Sequence, residues 1–181
     1  MMIEPTALPD VLLITPSIMR DRRGGFWETW NQREFAAAGM PAEWAQDNCS
    51  TSSRNVVRGL HYQIIQPQGK LVRVTHGAVF DVAVDIRRSS PDFGRHVAVE
   101  LTAESGQMMY IPVGFAHGFA ALTDNAGLAY KVSDYYCREG ERSLLWNDPG
   151  LAIPWPVAAN KAILSAKDQN AKTLREAEVF A

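Results

Sequence analysis

Between residues 71 and 133 the chain reads as short apolar runs, each closed by turn-forming residues. This pattern limits the fold more than any other feature. The runs are 71–75, 79–86, 96–102 and 107–111, followed by 118–122 and 128–133. Gly77, the Ser-Ser-Pro-Asp-Phe-Gly stretch 89–94 and the Glu-Ser-Gly stretch 104–106 separate them, which is strand-and-turn punctuation. In 79–86, alternation puts Phe80, Val82, Val84 and Ile86 on one face and Val79, Asp81, Ala83 and Asp85 on the other. One face is therefore expected to be core and the other partly polar. Leu128, Tyr130 and Val132 share a face, and the parity continues to Asp134 and Tyr136 if the chain stays extended. Many short strands at this spacing predict an all-β sandwich or barrel, with a jelly roll among the options.

Outside this region, 11–14 suits a strand. Asn31 and Glu34 have the spacing of a capping box, with a short helix running to Gly39. From Ser165 onward a short helix is expected, with Leu174 and Val179 available for packing. No repeat or linker-like shift divides the chain, so residues 1–181 are expected to form one domain. Hydrophobic residues make up 46% and charged residues 21%, enough for an ordinary globular core. A net charge of −2 argues against nucleic acid or membrane as partner. Cys49 and Cys137 are expected to be reduced thiols. The first residues lack the basic and apolar regions of a secretory signal, and no stretch is long and apolar enough to span a bilayer. The expected location is the cytoplasm.

Four histidines are the first candidates for chemistry. His76 precedes a turn and His96 opens a strand, and both read as structural. Gly106, Pro112, Gly114 and His117 fit the second motif of the cupin superfamily: glycine, five residues, proline, one residue, glycine, two residues, histidine. The asparagine that commonly closes the motif is here Ala121. The resemblance implies a cupin jelly roll, a double-stranded β-helix barrel with a few short helices. Many cupins bind a metal through a His-x-His pair as well, and this chain has none. His61 stands alone between Leu60 and Tyr62. A transition-metal site normally needs three or more protein ligands. A barrel working without metal is the expectation, against a competing set of His61, His117 and a carboxylate assembled in space.

A second resemblance covers nearly the whole chain. It is carried by Asp21-Arg-Arg-Gly-Gly-Phe-Trp-Glu28, Gln46-Asp-Asn-Cys-Ser50, Arg58-Gly-Leu-His-Tyr-Gln63 and Gly69-Lys-Leu-Val-Arg73. It continues through Val79-Phe-Asp-Val-Ala-Val-Asp-Ile-Arg87, Ile111-Pro-Val-Gly-Phe-Ala-His-Gly-Phe119, Tyr130-Lys131, Asp134-Tyr-Tyr136, Leu145-Trp-Asn-Asp148 and Leu164-Ser-Ala-Lys-Asp168. In order and spacing these segments resemble the dTDP-4-dehydrorhamnose 3,5-epimerase family. The resemblance implies an isomerase that inverts carbons 3 and 5 of a dTDP-linked 4-keto-6-deoxy sugar, with no cofactor, in the route to dTDP-L-rhamnose. The ketone acidifies both neighbouring carbons, so such an enzyme needs a base, a stabiliser for the enolate oxygen and an acid on the opposite face.

By resemblance His61 is the base, Asp168 orients it, Tyr130 is the proton donor and Lys70 stands near the ketone oxygen. Asp81, on the polar face of its strand, is placed to pair with Lys70 or line the site. Arg23, Arg58 and Lys167 are candidates for the diphosphate. Glu28, Gln46, Asp47, Asn48, His117 and Glu141 match ligand-contacting positions, while Tyr136 and Phe26 are candidates to stack on the base. The resemblance also implies a homodimer in which the N-terminal segment crosses to the other subunit. Taken singly, Asp81 reads as holding a strand edge, and Glu141 and Phe26 also read as structural. The loop 63–70 is shorter than the common family form and carries Pro67 where alanine is usual. Two other readings stay open: an enzyme that epimerises one carbon or moves the keto group, and a sugar-binding cupin without activity.

Overall fold

The computed structural model describes residues 1–181. Its strands in chain order are β1 (Met2–Pro5), β2 (Leu12–Thr15), β3 (Met19–Asp21), β4 (Gly24–Phe26), β5 (Gln46–Ser52), β6 (Val57–Gln63), β7 (Lys70–His76), β8 (Ala78–Asp85), β9 (His96–Thr102), β10 (Met108–Ile111), β11 (Phe115–Ala121), β12 (Ala126–Val132) and β13 (Glu141–Ser143). Two short helices, α1 (Gln32–Ala37) and α2 (Ala166–Gln169), complete the set. A six-stranded sheet of order β1-β2-β10-β7-β12-β5 faces a five-stranded sheet of order β13-β6-β11-β8-β9. The β3–β4 hairpin stands apart. All pairings between these strands are antiparallel, and the non-consecutive neighbours are those of a jelly roll.

The first core lies between the sheets. Val72, Val74 and Leu128 from one sheet meet Val79, Ala83, Phe115 and Phe119 from the other. A second core covers the outer face of the five-stranded sheet. There Leu60, Val82, Val84 and Ile86 pack against the C-terminal segment through Leu144, Leu151 and Ala177, with Leu174 and Val179 at its edge. Strand β8 is therefore buried on both faces, and Asp81 and Asp85 are fully buried. The face expected to be partly polar is the barrel interior, not a solvent face. Nor is Asp81 on a strand edge, because β8 lies between β11 and β9.

Strands β5 and β6 carry much of the site yet show weak strand signals. β5 is Gln-Asp-Asn-Cys-Ser-Thr-Ser, whose alternation is polar on both sides. β6 contains Gly59, where φ is +123°. A Cβ there would lie 2.5 Å from the Gly118 Cα, so the two glycines let β6 and β11 approach where their register shifts. Local signals elsewhere were only partly followed. Asn31 caps α1 by accepting from the Arg33 and Glu34 amides, but Glu34 does not reach back. The Asn31 amide instead donates to Glu28 at 3.3 Å. β12 stops at Val132, and Tyr135 N–H donates to the Asp134 side chain in a turn, so the strand parity does not extend to Tyr136. Both cysteines are free. No helix is long and apolar enough to cross a membrane.

Candidate active site

His61 and His117 are direct cross-strand partners on β6 and β11, so both side chains leave the same face of the five-stranded sheet. Lys70 and Tyr130 come from β7 and β12 of the opposing sheet. These four side chains line a cavity of about 560 Å³, with Arg58 and Asp168 also in its wall. A smaller cavity of about 240 Å³ adjoins it, sharing His61, Lys70 and Tyr130 and adding Gln46, Asn48, Tyr136 and Glu141.

Asp168 reaches His61 from far along the sequence. Ser165 caps α2 by accepting from the Asp168 amide at 3.1 Å, which fixes the start of this single turn. The Asp168 side chain is 3% exposed and its Oδ1 lies 2.6 Å from His61 Nε2. Burial pushes the Asp168 carboxyl upward, but the His61 hydrogen bond and charge, with Ser165 and Lys167, outweigh it and hold the group below its ordinary range. Burial lowers the His61 pKa, against the opposing pull of Asp168. His61 is therefore a neutral imidazole at pH 7 beside an ionised carboxylate, the state a general base requires.

Lys70 is buried, and burial lowers its pKa to about 8, against the raising effect of Asp81. Its Nζ donates to the His61 carbonyl at 3.2 Å. Burial raises the Tyr130 pKa, with Arg58 acting the other way, so the phenol keeps its proton and is available as an acid. His117 Nε2 lies 2.8 Å from Asp81 Oδ1. At the rim Lys167 pairs with Glu141 at 2.7 Å, and the Tyr136 hydroxyl donates to Glu141 at 3.3 Å. Arg58 donates to Ser52 Oγ and to the Thr51 carbonyl, both at 3.1 Å, while Gln46 donates to Asn48 at 2.6 Å. No group of three or more His, Cys, Asp or Glu side chains converges as a metal-ligand set.

The fold thus gathers His61, Lys70, Arg58, His117, Tyr130, Lys167, Asp168, Gln46, Asn48, Tyr136 and Glu141 around one pair of joined cavities. It does not gather Asp47, Arg23, Phe26 or Glu28 there. Alternation along β5 turns Asp47 to the outer face, where it pairs with Lys131 at 3.0 Å. Arg23 sits on the β3–β4 hairpin, 85% exposed and paired with Asp21 of the same hairpin. Phe26 is 66% exposed, and Glu28 contacts Asn31. Sequence reading overlooked Ser50, Phe119 and Leu128 in the cavity wall. Each lies two residues from an identified position (Asn48, His117 and Tyr130), so strand alternation was the signal that finds them.

A family model described as dTDP-4-dehydrorhamnose 3,5-epimerase matches residues 5–176. The dTDP-4-dehydrorhamnose 3,5-epimerase of Pseudomonas aeruginosa is 51% identical, aligned over 96% of each chain. Among solved structures, the dTDP-6-deoxy-D-glucose-3,5-epimerase of Legionella pneumophila, in complex with dTDP-4-keto-L-rhamnose, superposes with a TM-score of 0.94. It is 46% identical, covering 97% of this chain and 94% of that one. A 3'-monoepimerase from Streptomyces bikiniensis, in complex with dTDP-quinovose, gives a TM-score of 0.89 at 36% identity, covering 95% and 87%.

Proposed function

The chain belongs to the dTDP-4-dehydrorhamnose 3,5-epimerase family, and on that premise we propose that His61 is the base with which this isomerase converts a dTDP-linked 4-dehydro-6-deoxy-D-glucose to 4-dehydro-L-rhamnose. The observation that carries the assignment is the His61–Asp168 pair facing Tyr130 and Lys70 across one cavity.

Neutral His61 takes the proton from a carbon next to the ketone. Asp168 stabilises the imidazolium that forms, and the negative charge moves to the ketone oxygen. Lys70 meets that oxygen with an ammonium, where a low-dielectric wall strengthens the interaction. Tyr130 returns a proton from the opposing sheet, on the other face of the ring, and the carbon is inverted. Exchange with solvent then removes the proton from His61 and restores one to Tyr130, and the cycle repeats at the second carbon. Only protons move, so the conversion needs no redox group.

Arg58 and Lys167 have the charge and position to hold a diphosphate, and Arg58 can do so with a planar fork. Tyr136, 55% exposed at the rim, offers a flat surface for the base. Gln46, Asn48, His117 and Glu141 supply the remaining polar contacts. Arg23, Phe26 and Glu28 act in the site of a second copy, reached by the projecting hairpin. The exposure of Met19 and Phe26 on that hairpin supports this reading. On this reading residues 1–181 work as one domain in a cytoplasmic homodimer.

The test is incubation with dTDP-4-dehydro-6-deoxyglucose in heavy water, followed by NMR. Deuterium is expected at carbons 3 and 5. Exchange at one carbon alone would give the reaction of a mono-epimerase, as in the Streptomyces bikiniensis neighbour. Absence of exchange would replace catalysis with sugar binding.

A further inference from the structure

Asp81 has no partner adequate to its burial. Its side chain lies between the sheets on the same face of β8 as Val79 and Ala83, and it is fully buried. Oδ1 meets His117 Nε2 at 2.8 Å, but Oδ2 is buried with no hydrogen-bond partner. A buried carboxylate left half satisfied is costly. Lys70 is under-satisfied in the complementary sense. Its ammonium has three donors, and one hydrogen bond, to the His61 carbonyl, is formed. An acceptor without a donor and donors without acceptors thus both lie inside the barrel.

We propose that Asp81 is a positioning residue of the enolate-oxygen site, holding His117 through Oδ1 and offering the negative charge of its unpartnered Oδ2 to the interior that buried Lys70 shares. The proposal rests on the epimerase reading and assigns Asp81 a role in that same site. The charges that face Lys70 come from several elements. Asp81 on β8 acts most strongly to keep it protonated, Glu141 on β13 acts the same way, and Lys167 on α2 opposes them. His61, His117 and Tyr130 are the other titratable groups of the cavity wall, with Arg58 and Asp168. Burial alone drives Lys70 toward the neutral amine, which cannot stabilise an oxyanion by charge. Asp81 counters that tendency without touching the substrate. By accepting from His117 Nε2 it also fixes which ring nitrogen carries hydrogen.

Asp81→Asn keeps the shape and an acceptor oxygen for His117 while removing the charge. The expected result is a lower kcat with KM little changed, and a basic limb of the kcat profile displaced to lower pH, the direction expected when an opposing charge is removed. In a Lys70→Gln background the same change should cause no further loss of rate. An unmoved basic limb, or an additional tenfold loss in the double variant, overturns the proposal. A readout independent of turnover is competitive acylation of Lys70 across pH, followed by mass spectrometry. In the wild type Lys70 should be unreactive as an ammonium at pH 7 and become reactive near pH 8. A Lys70 already neutral at pH 7 overturns the proposal even if Asp81→Asn fails to fold. Deuterium exchange by the wild-type enzyme tests the epimerase reading separately, because Lys70 acylation does not depend on which reaction occurs.

Discussion

Replacing Asp168 by asparagine tests the central pair most directly. The amide has the carboxylate's shape, so it fits a position where the side chain is 3% exposed and keeps an oxygen near His61 Nε2. What disappears is the negative charge 2.6 Å from that nitrogen. A hydrogen bond to a charged group contributes about 1.5–3 kcal/mol, and about 1.4 kcal/mol is tenfold in rate, so kcat should fall about 10- to 150-fold. The loss belongs to kcat because the imidazolium exists only after proton abstraction. The pH profile carries a second signature. Asp168 raises the His61 pKa against the effect of burial. With His61 as the proposed base, catalysis needs the neutral ring, so activity is lost as pH falls through its pKa. Removing the carboxylate lowers that pKa and moves the acid limb to lower pH. The assay is initial-rate solvent deuterium exchange into the substrate, followed by NMR from pH 5 to 9 (~half-unit steps suffice for a one-proton limb). A kcat within threefold of wild type, or an acid limb that stays put, would refute the His61–Asp168 assignment.

Tyr130→Phe should retain some hydrogen exchange, because the base is intact, yet fail to complete the second inversion; normal turnover in product NMR would remove Tyr130 as the donor. Gly118→Ala would push a Cβ to 2.7 Å from the Arg58 carbonyl oxygen and 3.1 Å from Gly59 Cα. A loss of about 1–3 kcal/mol of stability is expected in urea unfolding, the cost of overpacking. Asp85 is pushed up by burial, but Arg87 and Ser90 hold it below the ordinary carboxylate range. Its contribution is present above the unfolded pKa and is lost as pH falls through the folded one, so the urea midpoint should drop progressively below about pH 4. An unchanged midpoint at pH 3 would show that Asp85 contributes nothing to stability.

The barrel was legible because its strands alternate and end in turns. β9 spans the same residues as its sequence run, and the runs that became β8, β10 and β12 differ by a residue or two at their ends. β5 and β6 were obscure for different reasons. Polar residues on both faces hide the alternation of β5. In β6, exposed Arg58 and the glycine at 59 break the apolar run of a mostly buried strand. Asp81 was misplaced as an edge residue because alternation shows two faces without showing that both are covered. Covering β8 takes the C-terminal segment, which is far away in sequence. The same distance hides the His61–Asp168 pair from local patterns. Family resemblance supplied it, and the Ser165 cap on α2 explains how the tail presents the carboxylate.

The division of the site between two sheets bears directly on the chemistry. A base and an acid that address opposite faces of one ring must be close to the substrate and unable to neutralise each other. Side chains on one sheet cannot meet this condition easily, since neighbours on a face lie within about 5.5 Å. His61 and His117 show that proximity as cross-strand partners. Tyr130 instead stands on the other sheet, and packed sheets lie about 10 Å apart, enough for a sugar ring with a side chain on each side. The spacing is fixed by Val72, Val74, Leu128, Val79 and Phe119, which fill the barrel around the cavity. Leu128 and Phe119 also line the cavity itself, so the packing that sets the distance between the sheets also shapes the wall against which the ring must sit.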